Sequence, residues 1–205
     1  MTITTFVTSP LETNTYVVIN EDKAFVVDPG GRAEEISAFI RKEGATAEAV
    51  LLTHGHFDHT GGVAALQREG AQVFIHRDDA RLANSVANLA AVAGYSVEHF
   101  TPDVTLAGGE RLTVAGVPVS VIHTAGHTAG GVCYDLGDVL FTGDTLFELS
   151  YGRTDFPSGN FAELKNSVLN KLFNLEGDRT VYSGHGAPTT LEFERKHNPI
   201  TSDRR

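Results

Sequence analysis

The chain has 205 residues, 41% of them hydrophobic, which is typical of a folded globular protein and predicts one domain over residues 1–205. Its 16 basic and 26 acidic side chains give a formal net charge of −10, which disfavours nucleic acid and anionic membranes as partners. The N-terminus lacks the pattern of a signal peptide and no run approaches the ~18 apolar residues of a membrane helix, so we predict a cytoplasmic protein.

The first half of the chain alternates short β-type runs with helical ones. Runs of β-branched residues predict strands, and apolar residues at helical spacing followed by glycine predict helices. This alternation predicts a layered sandwich with helices on the outside. In chain order the predicted elements are a hairpin of strands at 15–19 and 24–28, a helix at 32–44, a strand at 47–53, a helix at 59–70 and a strand at 71–76.

The second half begins with an Ala-rich stretch, residues 78–93, whose helical pattern predicts either a core helix or a lid. Four β-type runs separated by glycine-containing turns then predict antiparallel strands. The single cysteine, Cys133, lies in one of these runs and is interpreted as a small buried hydrophobe. The elements predicted after residue 93 are strands at 111–114, 117–123, 131–136 and 138–143, an amphipathic helix at 160–175 and a strand at 179–184.

Side chains that bind metals are concentrated in the sequence HGHFDH, between a predicted strand and a predicted helix. Neither the two-residue period of a strand nor the 3.6-residue period of a helix puts all of them on one face. A loop wrapped around an ion can bring all four side chains to one point. The residues are His54, His56, Asp58 and His59.

Three later loops have the same design, an apolar run followed by a turn and a potential ligand. They carry His127, Asp144 and His185. Because the ends of strands in a sandwich lie along a common edge, these loops can meet the first one. Together the four loops hold five of the nine histidines. The other four are interpreted as surface or core residues; they are His76, His99, His123 and His197.

Imidazole and carboxylate ligands suit zinc, and also iron or manganese. Five histidines and two aspartates are too many for one tetrahedral ion, but they suffice for two divalent ions that share a carboxylate. Two such ions lower the pKa of a trapped water and make hydroxide available at neutral pH. The sequence therefore predicts two divalent metal ions, with zinc preferred.

This ligand pattern resembles the metallo-β-lactamase superfamily over nearly the whole chain. Within it, the segments YGRTDFPSGN and SGHGAPTTLEFERKHNP are similar to the short hydroxyacylglutathione hydrolases, the glyoxalase II-like proteins. The fold that the resemblance implies is a four-layer αββα sandwich of the α/β class. Two sheets would pack face to face, helices would cover both outer faces, and the metals would lie at one edge.

The resemblance also implies roles for individual residues. Asp58 would orient the attacking hydroxide while it binds metal. Asp28 would be either a hydrogen-bonding partner of the ligand loop or a plain turn residue before Pro29. The first metal would be held by His54, His56 and His127, the second by Asp58, His59 and His185, and both by Asp144.

The implied reaction is hydrolysis of a small-molecule thioester such as S-lactoylglutathione by a metal-bridging hydroxide. A thiol has a pKa of ~8.5, so a thiolate leaves without a strong acid, which favours a thioester over a β-lactam. Arg153 would either bind a substrate carboxylate or pair with Asp155. The resembling enzymes have lysine and tyrosine at these two positions, and a tyrosine where this chain has Ala187, so this chain departs from their pattern at three positions.

Three alternatives stay open. The segment GRTDF is also similar to iron-dependent persulfide dioxygenases, in which one iron would sit on His54, His127 and Asp144. A lactonase of the same fold is the second alternative. The third, a metal-stabilised scaffold without activity, is disfavoured because structural zinc sites are usually closed by four ligands. The sequence predicts no oligomeric state.

Overall fold

Two six-stranded sheets dominate the computed structural model of the chain, which describes residues 1–203. The first sheet follows chain order and comprises β1 (Thr2–Thr8), β2 (Thr13–Asn20), β3 (Lys23–Val27), β4 (Thr46–Leu51), β5 (Gln72–His76) and β6 (Val104–Leu106). The second comprises β7 (Arg111–Val114), β8 (Val117–His123), β9 (Val132–Asp135), β10 (Val139–Gly143), β13 (Thr180–Ser183) and β14 (Thr189–Thr190), in the order β14-β13-β10-β9-β8-β7. A small ribbon is formed by β11 (Leu146–Phe147) and β12 (Ser150–Tyr151).

The helices are short. They are α1 (Ala33–Lys42), α2 (Phe57–Thr60), α3 (Val63–Arg68), α4 (Arg77–Ala83), α5 (Phe161–Ser167) with a π-helical continuation at Val168–Leu172, and α6 (Leu191–His197), with 3₁₀ turns at Val86–Asn88 and Pro199–Thr201. Within residues 1–203, none has the length and apolar character needed to cross a membrane. The cytoplasmic location and the single domain stay predictions.

Three apolar cores separate four layers. Phe25 and Val26 are neighbours on β3 but enter different cores, because successive side chains of a strand point to opposite faces. Val26 belongs to the core under α1, α3 and α4, whereas Phe25 meets Phe141 in the core between the sheets. The third core groups Leu164 of α5 with the fully buried Cys133 on the outer face of the second sheet. The predicted αββα sandwich and the buried position of Cys133 are confirmed.

The helix predicted at 59–70 is two helices, α2 and α3, interrupted at Gly61 and Gly62. The amide of Gly62 donates to the carbonyl of Pro29 at 2.7 Å. A Cβ atom at Gly61 would lie 2.5 Å from the carbonyl oxygen of Gly30. Only glycine allows this contact, so the turn after β3 sits directly on the loop that carries the predicted ligands.

The long helix predicted at 78–93 is wrong beyond Ala83. Its C-terminus is set by the side chain of Asn84, which donates to the carbonyl of Phe100 at 2.8 Å and accepts from its amide at 3.1 Å. The next residue, Ser85, is extended, and its hydroxyl caps the short 3₁₀ turn. The rest of the segment is irregular and lies beside the candidate site.

The loops with predicted site residues follow the carboxyl ends of β3, β4, β8, β10 and β13. Strands β3 and β4 run parallel in the first sheet, and β10 and β13 run parallel in the second. Two antiparallel steps, β8 to β9 and β9 to β10, give β8 the same direction as β10. This topology brings the five loops to one edge of the sandwich.

Candidate metal centre

Three imidazoles, those of His54, His56 and His127, form the first cluster. All three residues are buried, and their ligand atoms lie within 4.8 Å of one another. Nδ1 of His56 is 2.9 Å from Nε2 of His127. Three converging nitrogens at this spacing form a ligand set that suits a divalent cation.

The second cluster consists of Asp58, His59 and His185. Oδ2 of Asp58 lies 3.4 Å from Nε2 of His59 and 3.3 Å from Nε2 of His185. The same oxygen accepts a hydrogen bond from the Thr13 hydroxyl at 2.9 Å, which fixes the carboxylate from behind. Only His185 has a substantially exposed side chain, at 27%, so the second cluster opens to solvent on that side.

Asp144 stands between the two clusters. Its Oδ1 lies 3.4 Å from Nε2 of His59 and 3.6 Å from Nε2 of His185. Its Oδ2 lies 3.5 Å from Nε2 of His127. Gly184 makes this position possible, because a Cβ atom there would lie 2.3 Å from Oδ1 of Asp144. One carboxylate oxygen therefore faces each cluster, as a bridge between two ions requires.

Several polar atoms at the centre are buried without a hydrogen-bond partner in the part of the chain that the structure describes. They are Nε2 of His54, His56 and His59, and Oδ1 of Asp144. Each buried polar atom left unpaired costs about 1–3 kcal/mol, so such a concentration in one place needs an explanation. Cations bound at the centre would explain these unpaired atoms, and the residues present fit a metal centre.

Hydrogen bonds on the far side of the rings leave the inner nitrogens free for ligation. Nδ1 of His127 is 2.7 Å from the carbonyl oxygen of Arg153, and Nδ1 of His185 is 3.1 Å from that of Leu11. Because a carbonyl only accepts, both Nδ1 atoms carry a proton, and the Nε2 atoms are the ones that face the clusters as candidate ligands.

Asp28 orients a third imidazole. Its carboxylate is 2% exposed, and Oδ2 lies 2.9 Å from Nδ1 of His59. The carboxylate also accepts from the amide and hydroxyl of Thr53, at 2.7 and 2.6 Å. Asp28 occupies the turn after β3, with a φ of 49°, and contacts the ligand loop from there.

The electrostatics favour cations. Burial lowers the pKa of His56 to about 3, so its imidazole is neutral and able to bind metal. Burial alone would raise the pKa of Asp58, but the charge of His59 and the hydrogen bond from His185 lower it to about 2. Burial opposes protonation of His59, but the surrounding carboxylates win and raise its pKa. The centre thus gathers carboxylate charge that a proton on His59 only partly neutralises.

The centre opens into a cavity of about 530 Å³. Arg153 and Phe156 line it, and so do Leu11 and Phe147. A cavity of this size is typical of sites for small molecules. The irregular segment after α4 contributes Leu89, Val92 and Ala93 to one wall.

Arg153 has two kinds of contact. Its guanidinium binds both oxygens of Asp155, at 2.7 and 2.6 Å, and lies 3.9 Å from the centre of the Phe156 ring. It also lines the cavity. The ion pair is exposed, so a substrate carboxylate can compete for the guanidinium at little cost.

The remaining histidines lie outside the groups of converging ligand atoms found within residues 1–203. His76 is buried and stacks on His123, with ring centres 4.3 Å apart. His99 is exposed, and His197 contacts Phe193. These positions agree with the interpretation from sequence.

Asp79, a fully buried carboxylate on α4, is a further residue of the site that the sequence pattern did not predict. Its Oδ2 accepts from the amide of Gly55 and the hydroxyl of Thr128, both at 2.8 Å, and its Oδ1 accepts from the amide of Gly130 at 2.8 Å. Asp79 thereby ties together the two loops that carry the first cluster. The available signal was an acidic residue within three positions of the end of a strand, near the placement that Asp28 has directly after β3.

The four-layer sandwich and the paired clusters at its edge define a class, the metallohydrolases of the αββα fold. Residues 8–185 match the family model of the Metallo-beta-lactamase superfamily. The chain belongs to this superfamily, as its ligand pattern predicted.

Two curated relatives cover almost the whole chain. One is the probable metallo-hydrolase YqgX of Bacillus subtilis (strain 168), 33% identical over 196 residues, with 93% of each chain covered. The other is the hydroxyacylglutathione hydrolase GloC of Haemophilus influenzae, 34% identical over 191 residues, with 90% of each chain covered.

Two solved structures are also similar. The BLEG-1 B3 metallo-beta-lactamase has a TM-score of 0.92 and 36% identity, covering 98% of this chain and 100% of that one. TTHA1623, solved in a di-iron-bound form, has a TM-score of 0.85 and 33% identity, covering 96% of this chain and 99% of that one. The fold and the superfamily are thus shown by sequence and by structure.

Proposed function

We propose that the chain is a binuclear metallohydrolase that cleaves thioesters of the hydroxyacylglutathione type. The observation that carries the proposal is the position of Asp144, with one carboxylate oxygen toward each of two ligand clusters beside a substrate-sized cavity. The similarity to GloC supports the substrate class, and the di-iron form of TTHA1623 supports two ions in a related chain.

The two ligand clusters suggest one ion each. The first cluster would hold one ion, the second cluster the other, and Asp144 both. Imidazole and carboxylate donors suit zinc best, with iron or manganese as alternatives. When bound, two such ions supply Lewis acidity and make a water molecule acidic enough to serve as hydroxide at neutral pH.

The chain's own residues do the remaining work. Asp58 is ionised at neutral pH, since its pKa is about 2, and Thr13 fixes one of its oxygens. We infer that this carboxylate accepts a hydrogen bond from the attacking water and orients it toward the acyl carbon. The leaving thiolate has a pKa of ~8.5 and departs without a general acid, so a thioester suits this centre better than an amide.

The function is tested by metal analysis and oxygen-uptake assays on the protein as purified, alongside hydrolysis assays without oxygen on the protein as purified and after reconstitution with zinc. We expect about two ions per chain, hydrolysis of S-lactoylglutathione, and loss of activity when a chelator removes the metal. One bound iron together with oxygen uptake on glutathione persulfide would instead establish a dioxygenase. Lactone turnover far above thioester turnover would establish a lactonase, and a fully metallated protein inert to all three substrate classes would establish a scaffold.

Arg153 is proposed to hold a substrate carboxylate at the mouth of the cavity. Replacing it with alanine is expected to raise the KM for S-lactoylglutathione about tenfold and to change kcat little, because the contact is equal in ground and transition states. Steady-state kinetics measures this split. Lys165→Ala, which removes a cation that does not line the cavity, is the matched control. An unchanged KM in Arg153→Ala would mean that Arg153 does not bind substrate and serves only in its ion pair with Asp155.

A further inference from the structure

The two ends of the cavity differ in chemistry. At the end beside the first cluster, the carbonyl of Arg153 accepts a hydrogen bond from His127, and Arg153 itself lines the cavity. At the end beside the second cluster, the carbonyl of Leu11 accepts from His185, and the ring of Phe147 lies 6.2 Å from that of His185. The end beside the first cluster therefore offers the Arg153 cation next to the Phe156 ring, whereas Leu11 and Phe147 give the end beside the second cluster an apolar lining.

Several apolar side chains that line the cavity are also exposed on the surface around its mouth. Leu11 is 51% exposed and Val92 is 84% exposed, and both line the cavity. Tyr95, 48% exposed, stacks on Phe57, a further lining residue, with ring centres 5.6 Å apart. Apolar side chains left in water around the mouth of a cavity mark a binding surface.

We propose that the apolar side chains lining the cavity, those of Leu11, Phe57, Leu89, Val92 and Phe147, bind a hydrophobic acyl group of the thioester substrate. The proposal rests on the proposed thioester hydrolysis and names its substrate class. It assigns the glutathione part of the substrate, which carries carboxylates, to Arg153 and the acyl group to these apolar side chains, so that the thioester carbonyl reaches the metal-binding residues that line the same cavity.

The size of the cavity and the course of the reaction fit this assignment. A volume of about 530 Å³ is in the range of small-molecule sites, so the cavity accommodates an apolar acyl group together with part of the thiol portion of the substrate. In the reaction, the oxygen of water bonds to the acyl carbon and the carbon–sulfur bond breaks with its electron pair going to sulfur. The products are a hydrophobic carboxylate, a thiol and one proton. In the proposed arrangement the apolar side chains bind the acyl group before and after the carbon–sulfur bond breaks.

A series of S-acylglutathiones tests the proposal with the metal-loaded, full-length protein. Acetyl, butanoyl, hexanoyl and octanoyl thioesters share one thiol arm and differ only in apolar length. Because burial of each methylene is favourable, we expect kcat/KM to rise about two- to fourfold per methylene until the cavity is filled. S-lactoylglutathione would then be a poor substrate by comparison.

Two valines of the same segment give a matched pair of variants. Val86 and Val92 are both 84% exposed, but only Val92 lines the cavity. We expect Val92→Asn to lower the octanoyl-to-acetyl ratio of kcat/KM about three- to tenfold and Val86→Asn to leave the ratio unchanged. The acetyl rate serves as an internal measure of intact folding and metal binding.

The outcomes separate the two proposals. Equal kcat/KM across the series, or equal ratios in both valine variants, would overturn the acyl assignment and leave thioester hydrolysis standing. Hydrolysis of none of the thioesters would overturn both. A Val92→Asn protein that changes its oligomeric state but keeps its acyl preference would show that a second copy of the chain covers the apolar mouth, which also overturns the assignment.

Discussion

Replacing Asp144 with alanine is expected to remove both metal ions and to reduce kcat/KM far more than the 10–100-fold that outer partners of a metal centre typically cost. Two divalent cations placed a few ångströms apart repel each other, and a carboxylate between them offsets part of that repulsion. Asp144 is the residue with an oxygen toward each cluster, so its loss removes a ligand and a negative charge from both sites at once.

Metal analysis after dialysis measures the effect, with circular dichroism to verify that the variant is folded. Asp138→Ala is the matched control, because Asp138 is an exposed aspartate just before β10 and Asp144 follows the other end of that strand. We expect the control to keep about two ions per chain. If Asp144→Ala retained one tightly bound ion, the carboxylate would belong to a single site and the bridging role would be wrong.

The fold and the loops of the candidate site could be predicted because their signals are local. On β3, Phe25 and Val26 enter two cores, and a run of apolar residues like this one predicts a strand buried on both faces. The same local logic predicts His127 and His185, since each follows a strand and a short turn. Strand β1 was missed because it is a half-exposed edge strand with no buried run to mark it.

The failures have long-range causes. The helix predicted at 59–70 is broken because Gly61 and Gly62 pack on the backbone around Gly30, a contact that periodicity does not encode. The helix predicted at 78–93 ends early because the side chain of Asn84 forms hydrogen bonds with both the carbonyl and the amide of Phe100. In each case contacts with a distant segment fix the point at which the helix ends, the segment around Pro29 and Gly30 in the first and Phe100 in the second.

Asp79 was not predicted from the sequence for the same reason. Its replacement is the second change for which we expect a large effect. Its partners Gly55 and Gly130 lie 24 and 51 residues away in the sequence. All three groups that contact its carboxylate donate hydrogen bonds, and two of them are backbone amides that cannot turn away. An asparagine has one accepting oxygen, so in either orientation its amide nitrogen faces one of these buried N–H groups.

We therefore expect Asp79→Asn to destabilise the fold by about 1–3 kcal/mol, the cost of one buried donor without an acceptor. Because the Gly55 and Thr128 loops carry His54, His56 and His127, we also expect the first cluster to lose zinc affinity about 10–100-fold, while the second cluster keeps its ion. Thermal unfolding of the metal-free protein measures the first effect. Competition with a chromophoric chelator, at a temperature where the variant is fully folded, measures the second.

Asp78→Asn provides the matched control, since Asp78 is the adjacent residue, has a side chain that is 50% exposed, and has a carboxylate oxygen 3.6 Å from Nδ1 of His76 at the end of β5. The two aspartate predictions are also distinguishable from each other, because loss of Asp144 empties both sites and loss of Asp79 weakens one. A lower melting temperature with unchanged zinc affinity at both sites would mean that Asp79 stabilises α4 without positioning the ligands. Equal weakening of both sites would mean that the two clusters are held as one unit, and that the hydrogen bonds of Asp79 act on the whole edge of the sandwich.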